Sequence, residues 1–125
     1  MKSKLAELIK QYLNTPEFIF ADLTDPNQKG LTGDTLLHSA VVSGALEDVK
    51  TLISCGASVN AVGDLGSTPL HYAASRGLAD IARQLLQAGA DVSIRNEFGQ
   101  TALDLAELRK RHEVVKILKA HKKQN

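Results

Sequence analysis

Apolar residues recur at helical spacing along most of the chain. Leu5, Leu8, Ile9, Tyr12 and Leu13 form one stripe over residues 3–13, the spacing of a helix with a single buried face. Thr15 then precedes Pro16, a favourable helix start, and "EFIFADL" supplies a short apolar second helix. Further on, Val49, Leu52 and Ile53 mark a third helix and Ile81, Leu85 and Leu86 another. A last helix, "HEVVKILKAHKK", turns Val114, Val115, Ile117 and Leu118 inward and carries Lys116, Lys119, Lys122 and Lys123 elsewhere.

Between these stripes the same phrase returns three times. "GDTLLHSAVVSG" opens at Gly33, "GSTPLHYAASRG" at Gly66 and "GQTALDLAELRK" at Gly99, a constant step of 33 residues. Downstream, "LISCGASVNA" and "LLQAGADVSI" match at the same step. Each phrase reads as local structure. Thr35, Thr68 and Thr101 are placed to cap a helix, and Pro69 suits a first helical position. Ala40, Ala73, Ala74 and Ala106 keep that helix thin enough for close stacking. Gly44 and Gly77 allow a reversal into the second helix, which Gly56 and Gly89 end in a left-handed conformation.

This unit resembles the ankyrin repeat family, whose period and T-P-L-H-x-A signature it carries most fully in the middle copy. Copy 1 has Leu36 in place of Pro69, and copy 3 has Ala102 and Asp104 in place of Pro69 and His71. The resemblance implies an all-α solenoid of stacked helix-turn-helix units joined by hairpin-like loops, one domain over residues 1–125. Residues 1–30 are then a divergent N-terminal helical cap with a long connecting loop, and 31–63, 64–96 and 97–125 are repeats 1 to 3, the last serving as C-terminal cap. It also implies that His38 and His71 bond back to the threonine of their own motif and to nearby backbone. Asp104 at the third copy's equivalent position speaks against a chemical role there.

Composition adds little against this picture. Aromatics are 4% with no tryptophan, so the core is aliphatic. No apolar run is long enough to span a bilayer, and Glu7, Lys10 and Gln11 interrupt the first stripe, unlike a signal peptide. Cys55 is the one cysteine, compatible with a reducing compartment, and cytoplasmic location is expected. Charge is uneven. Residues 1–108 hold 8 Lys and Arg against 13 Asp and Glu, a net of −5, and residues 109–125 hold 7 against 1, a net of +6.

No constellation points to catalysis. "HEVVK" lacks the second histidine of a zinc-binding helix, and "GLTGDT" lacks the lysine and hydroxyl of a phosphate loop. His112 and His121 stand nine apart without a cysteine pair, so no metal, cofactor or catalytic residue is expected. Cys55 reads as a plain surface thiol. The expected function is non-enzymatic binding of a protein partner, as a monomer. One sharper alternative is an inhibitor or immunity-type protein that covers a toxin or enzyme. Another is nucleic-acid contact through the basic helix Arg109–Lys123, against which stand the missing aromatics and the acidic body.

By the resemblance, a partner meets the hairpin tips and the exposed side of the first helices. The tips are Leu31, Thr32 and Asp34, then Asp64, Leu65 and Ser67, then Glu97, Phe98 and Gln100. The helix positions are Val42 and Ser43, Ser75 and Arg76, Leu108 and Arg109. Leu65 and Phe98 share one tip position. Either they tuck against the neighbouring loop, or they form an apolar ridge with Val42 and Leu108 behind it and a charged rim. "PEFIFADL" and the basic helix are two further places where contact is conceivable.

Overall fold

The computed structural model describes residues 2–12 and 25–124. Its helices are α1 (Lys2–Tyr12), α2 (Leu36–Val42), α3 (Leu46–Ser54), α4 (Pro69–Arg76), α5 (Ala79–Gln87), α6 (Ala102–Leu108) and α7 (His112–Gln124). Among the described residues there is no strand, only an isolated bridge from Lys29 to Thr35 and a short 3-10 turn at Asp64–Gly66. The fold is all-α, as the repeat implied. Leu13 and the helix expected over residues 17–23 lie outside the described residues.

Helices α2 and α3, α4 and α5, and α6 and α7 pair within their repeats. Stacking then places α2, α4 and α6 in an inner layer and α3, α5 and α7 in an outer one, with the inner helices in the closer contact. Side-chain size explains the difference. Ala40, Ala73, Ala74 and Ala106 are completely buried on the inner helices, where a larger side chain would hold neighbouring backbones apart. The outer helices fill the wider gap with Val49, Leu52, Ile81, Leu85, Val114 and Leu118, all buried. Each such leucine removed from water stabilises the stack by about 1.5–3 kcal/mol. At the N-terminal end α1 lies against α3 and buries Leu5, Leu8 and Ile9.

Helix starts and stops follow from the repeated phrase. Thr35, Thr68 and Thr101 are the N-caps of α2, α4 and α6, and Pro69 occupies the first turn of α4. After each inner helix the chain reverses through one residue with positive φ: Gly44 at 71°, Gly77 at 73° and Lys110 at 58°. Each reversal is closed by a backbone bond to an inner-helix alanine. Ala45, Leu78 and Arg111 donate to Ala40, Ala73 and Ala106 at 3.1, 2.9 and 2.8 Å. Lys110 therefore makes the glycine turn without being glycine, at a local cost of roughly 1–2 kcal/mol. Cys55 differs from the surface thiol expected of it: it is half-buried and packs against the core.

Candidate protein-binding surface

Each repeat opens with a hairpin of one form. Gly30, Gly63 and Asn96 donate their N–H groups to the carbonyls of Asp34, Ser67 and Gln100 at 2.8, 2.8 and 2.9 Å. These positions are 33 apart, so the register runs upstream of repeat 1. Asp25–Gly30, expected as connecting loop, has the form of a hairpin limb. Its Asp25 Oδ1 accepts from Asn27 N–H at 2.8 Å, as Asp91 Oδ1 accepts from Ser93 N–H at 2.9 Å.

The signature histidines hold one hairpin to the next. In α2 the His38 N–H donates to Thr35 Oγ1, while Thr35 N–H donates to His38 Nδ1 at 3.0 Å. His71 and Thr68 repeat the pair, again with 3.0 Å to Nδ1. With Nδ1 accepting, Nε2 carries the ring proton. His38 Nε2 donates to the Ser67 carbonyl at 2.8 Å and His71 Nε2 to the Gln100 carbonyl at 2.9 Å, each 29 residues ahead. Both rings are buried, and that burial pushes their pKa values below the ordinary histidine value, opposed in part by these backbone bonds. They are neutral structural staples. Asp104 keeps the local half of the pattern: Thr101 N–H donates to its Oδ2 at 3.0 Å, and its own N–H to Thr101 Oγ1 at 3.2 Å.

Asparagines supply a second row of staples that the repeat signature did not suggest. Asn27 donates through Nδ2 to the Gly56 carbonyl and accepts at Oδ1 from Ser58 N–H, at 3.1 and 2.7 Å. Asn60 does the same with Gly89 and Asp91, at 3.2 and 2.8 Å. Their separation of 33 residues was the available signal. Between the first two tips, Asp34 Oδ1 accepts from Asp64 N–H at 2.9 Å and from the Tyr72 hydroxyl at 3.0 Å. A Cβ at Gly63 would crowd the Asp34 carboxylate and the His38 ring, so a side chain there would displace the Asp34 bonds. Between the second and third tips, Glu97 N–H donates to the Leu65 carbonyl at 3.0 Å. The tips are thus tied to one another, the first pair through the Asp34 carboxylate and the second through backbone.

Their side chains are not tucked away. Leu31 is 72% exposed, Leu65 52%, Phe98 69% and Leu108 65%. Val42, Thr32, Asp64, Glu97, Ser43, Arg76 and Arg109 are exposed with them. Ser67 is a correction: it is only 7% exposed, because its carbonyl is drawn in as the acceptor for His38, so its side chain presents nothing to a partner. Asp34, Ser75 and Gln100 are half-buried, and all three serve inside the stack. Asp34 holds Asp64 and Tyr72, and Gln100 receives His71. The Ser75 carbonyl accepts from Arg111 Nε at 3.1 Å, so Arg111 of the basic end is partly structural. Val62 is exposed and was missed. The repeat aligns it with Lys29 and Arg95, an apolar residue among cations.

On the other side of the stack the outer helices end their exposed faces in charge. Glu47 pairs with Lys50 at 3.6 Å, and Arg83 with both Asp80 at 2.9 Å and Glu113 at 3.1 Å. Among the described residues, no exposed large apolar side chain lies on α3, α5 or α7. No group of three metal-ligating side chains occurs among them, and no helix is long and apolar enough to cross a membrane.

Paired helices, hairpins recurring every 33 residues and histidine staples define a helical repeat solenoid. The family model "Ankyrin repeats (3 copies)" matches residues 2–96 and again 37–125, and the chain belongs to the ankyrin repeat family. No curated protein matches it. Ankyrin repeats are generally protein–protein interaction modules and typically non-enzymatic.

Proposed function

We propose that the chain is a monomeric, non-enzymatic binding module that holds one protein partner on its hairpin tips and inner-helix side. The observation that carries this reading is the one-sidedness of the surface. The exposed large hydrophobics of the described residues, Leu31, Val42, Val62, Leu65, Phe98 and Leu108, all lie in the hairpin limbs and tips or on α2 and α6. Leu65 reinforces it. Its φ is 56°, a conformation that costs a leucine roughly 1–2 kcal/mol, and its side chain is exposed besides. Neither local stability nor core packing favours leucine there, whereas contact with a partner does. Three repeats supply a patch on the order of 800 Å² per partner, enough for a specific complex. Cytoplasmic location is part of the reading, supported by the single unpaired cysteine.

Leu65→Glu/Phe98→Glu tests it. Protein is captured from source lysate on wild type and on the variant, after circular dichroism has shown equal helical content. A partner held by wild type and lost by the variant supports the reading. One held equally by both overturns it.

A further inference from the structure

The arginines of this chain are unevenly engaged. Of the five, Arg83 pairs with Asp80 and Glu113, and Arg95 with Asp104. Arg76, Arg109 and Arg111 are exposed and form no ion pair among the described residues. With exposed Lys110 they occupy two consecutive helix ends. Arg76 is the last residue of α4, Arg109 follows α6 directly, and Lys110 and Arg111 make the turn into α7. The same turn in repeat 1 is Ser43, Gly44 and Ala45, without charge.

Arg111 joins the two ends into one corner. It reaches back across the repeat boundary, where its Nε donates to the Ser75 carbonyl at 3.1 Å. Its stem lies over bare Gly77, where a Cβ would stand 2.8 Å from Arg111 Cδ. The guanidinium is thus held against the backbone on both sides of Arg76, and its terminal nitrogens bond nothing among the described residues. The carboxylates of these repeats are engaged elsewhere: Glu107 with Lys119 at 4.0 Å, Asp104 with Arg95 at 3.8 Å, and Asp80 and Glu113 with Arg83. A helix C-terminus favours a nearby cation by about 0.3–1 kcal/mol, which accounts for one cation per helix. It does not account for Lys110, which adopts a φ of 58° where the two earlier repeats have glycine. Contact with an anion accounts for a lysine there.

We propose that this corner is a second contact site, taking a short acidic segment of a partner protein. Guanidinium forks bind carboxylates bidentately, and the free nitrogens of Arg111 lie between those of the two helix ends. A protein segment fits better than a nucleic acid. Residues 1–108 hold 8 Lys and Arg against 13 Asp and Glu, so a long polyanion leaving the corner along the stack would meet like charge. Neither turn contains an aromatic residue on which a base could stack. The proposal rests on the chain being a protein-binding module, and not on the hairpin tips being its surface.

Fluorescence polarisation of a labelled peptide with about six consecutive glutamates, at low salt where such pairs are least screened, tests it on the full chain. Each variant is first shown to keep its helical content. Arg76→Gln/Arg109→Gln should weaken binding at least about tenfold, and Lys122→Ala/Lys123→Ala, which removes the same charge from α7, less than about threefold. Leu65→Ser/Phe98→Ser should bind the peptide as wild type does. No binding by wild type, or equal weakening by the two charge-removing variants, overturns the corner as a site. A thymidine oligonucleotide that binds more tightly than the peptide, and is lost in Arg76→Gln/Arg109→Gln, overturns the acidic segment as its occupant. Weakening in Leu65→Ser/Phe98→Ser overturns a contact separate from the tips. A lysate partner indifferent to Leu65→Glu/Phe98→Glu, with the peptide results as expected, overturns the hairpin reading alone and supports this one.

Discussion

The two sides of the stack solve opposite packing problems. On the outer side, Val49, Leu52, Ile81, Leu85, Val114 and Leu118 point inward and charged residues outward, the ordinary amphipathic arrangement. On the inner side the buried alanines share the core with Leu36, Leu37, Val41 and Leu70, and polar bonds join the repeats besides: a buried one from His38 to Ser67, a part-buried one from His71 to Gln100 and, exposed at the hairpin edge, those of Asn27 and Asn60 to the following unit. Leu31, Val42, Val62, Leu65, Phe98 and Leu108 stand exposed on this side. A side held together by its backbone carbonyls can vary its exposed side chains with little loss of stability, which is what a binding surface requires.

The comparison breaks most sharply at the staples. His71→Ala removes its bond to the next repeat and its bond within its own, leaving the Gln100 carbonyl and Thr68 N–H without their partner, so a loss of about 2–4 kcal/mol is expected in urea unfolding. Asp104→Ala, at the same repeat position, loses a local cap and an exposed ion pair with Arg95 at 3.8 Å, and should cost about 1 kcal/mol. Equal losses would deny that the histidine acts between repeats.

Acid should act on the same bonds. Both buried rings have pKa values lowered by desolvation. Below about 6.5 the unfolded chain takes up protons at these positions that the folded chain resists. Stability contributed by the neutral rings is thus present above that value and is lost as pH falls toward the folded pKa values. The melting temperature should drop from pH 7 to pH 5, and less steeply in His71→Asn. An equal slope in that variant would remove His71 from the account.

Lys110 sharpens the contrast from the turn. Lys110→Gly relieves a positive-φ lysine and should stabilise by about 0.5–1 kcal/mol, read as a higher melting temperature. The smallest expected effect is at the tips: Leu65→Glu/Phe98→Glu should change stability by no more than about 0.5 kcal/mol.

Much of this was legible in the sequence because it is periodic. The 33-residue step, the threonine caps, Pro69 and the alanines follow from residue type at fixed spacing, and the bond from histidine to its own threonine was implied by the family resemblance. The partners across repeats do not, since a backbone carbonyl such as that of Ser67 or Gln100 is the same in every residue. For that reason Ser67 was expected at the surface and is buried, and Arg111 was read as plain basic charge although it caps α4. Asn27 and Asn60 were legible by spacing, yet asparagine in a loop suggests a turn before it suggests a staple. The positive φ of Leu65 has no sequence signal at all.

The central claim is that the hairpin side, and not the outer side, meets the partner. Hydroxyl-radical footprinting of the captured complex tests it most directly, because leucine, phenylalanine and histidine side chains report their own exposure. Leu65, Phe98 and Leu108 should lose reactivity on binding while His112, exposed at the start of α7, keeps its own. Protection of His112 with Leu65 and Phe98 still reactive would contradict the account.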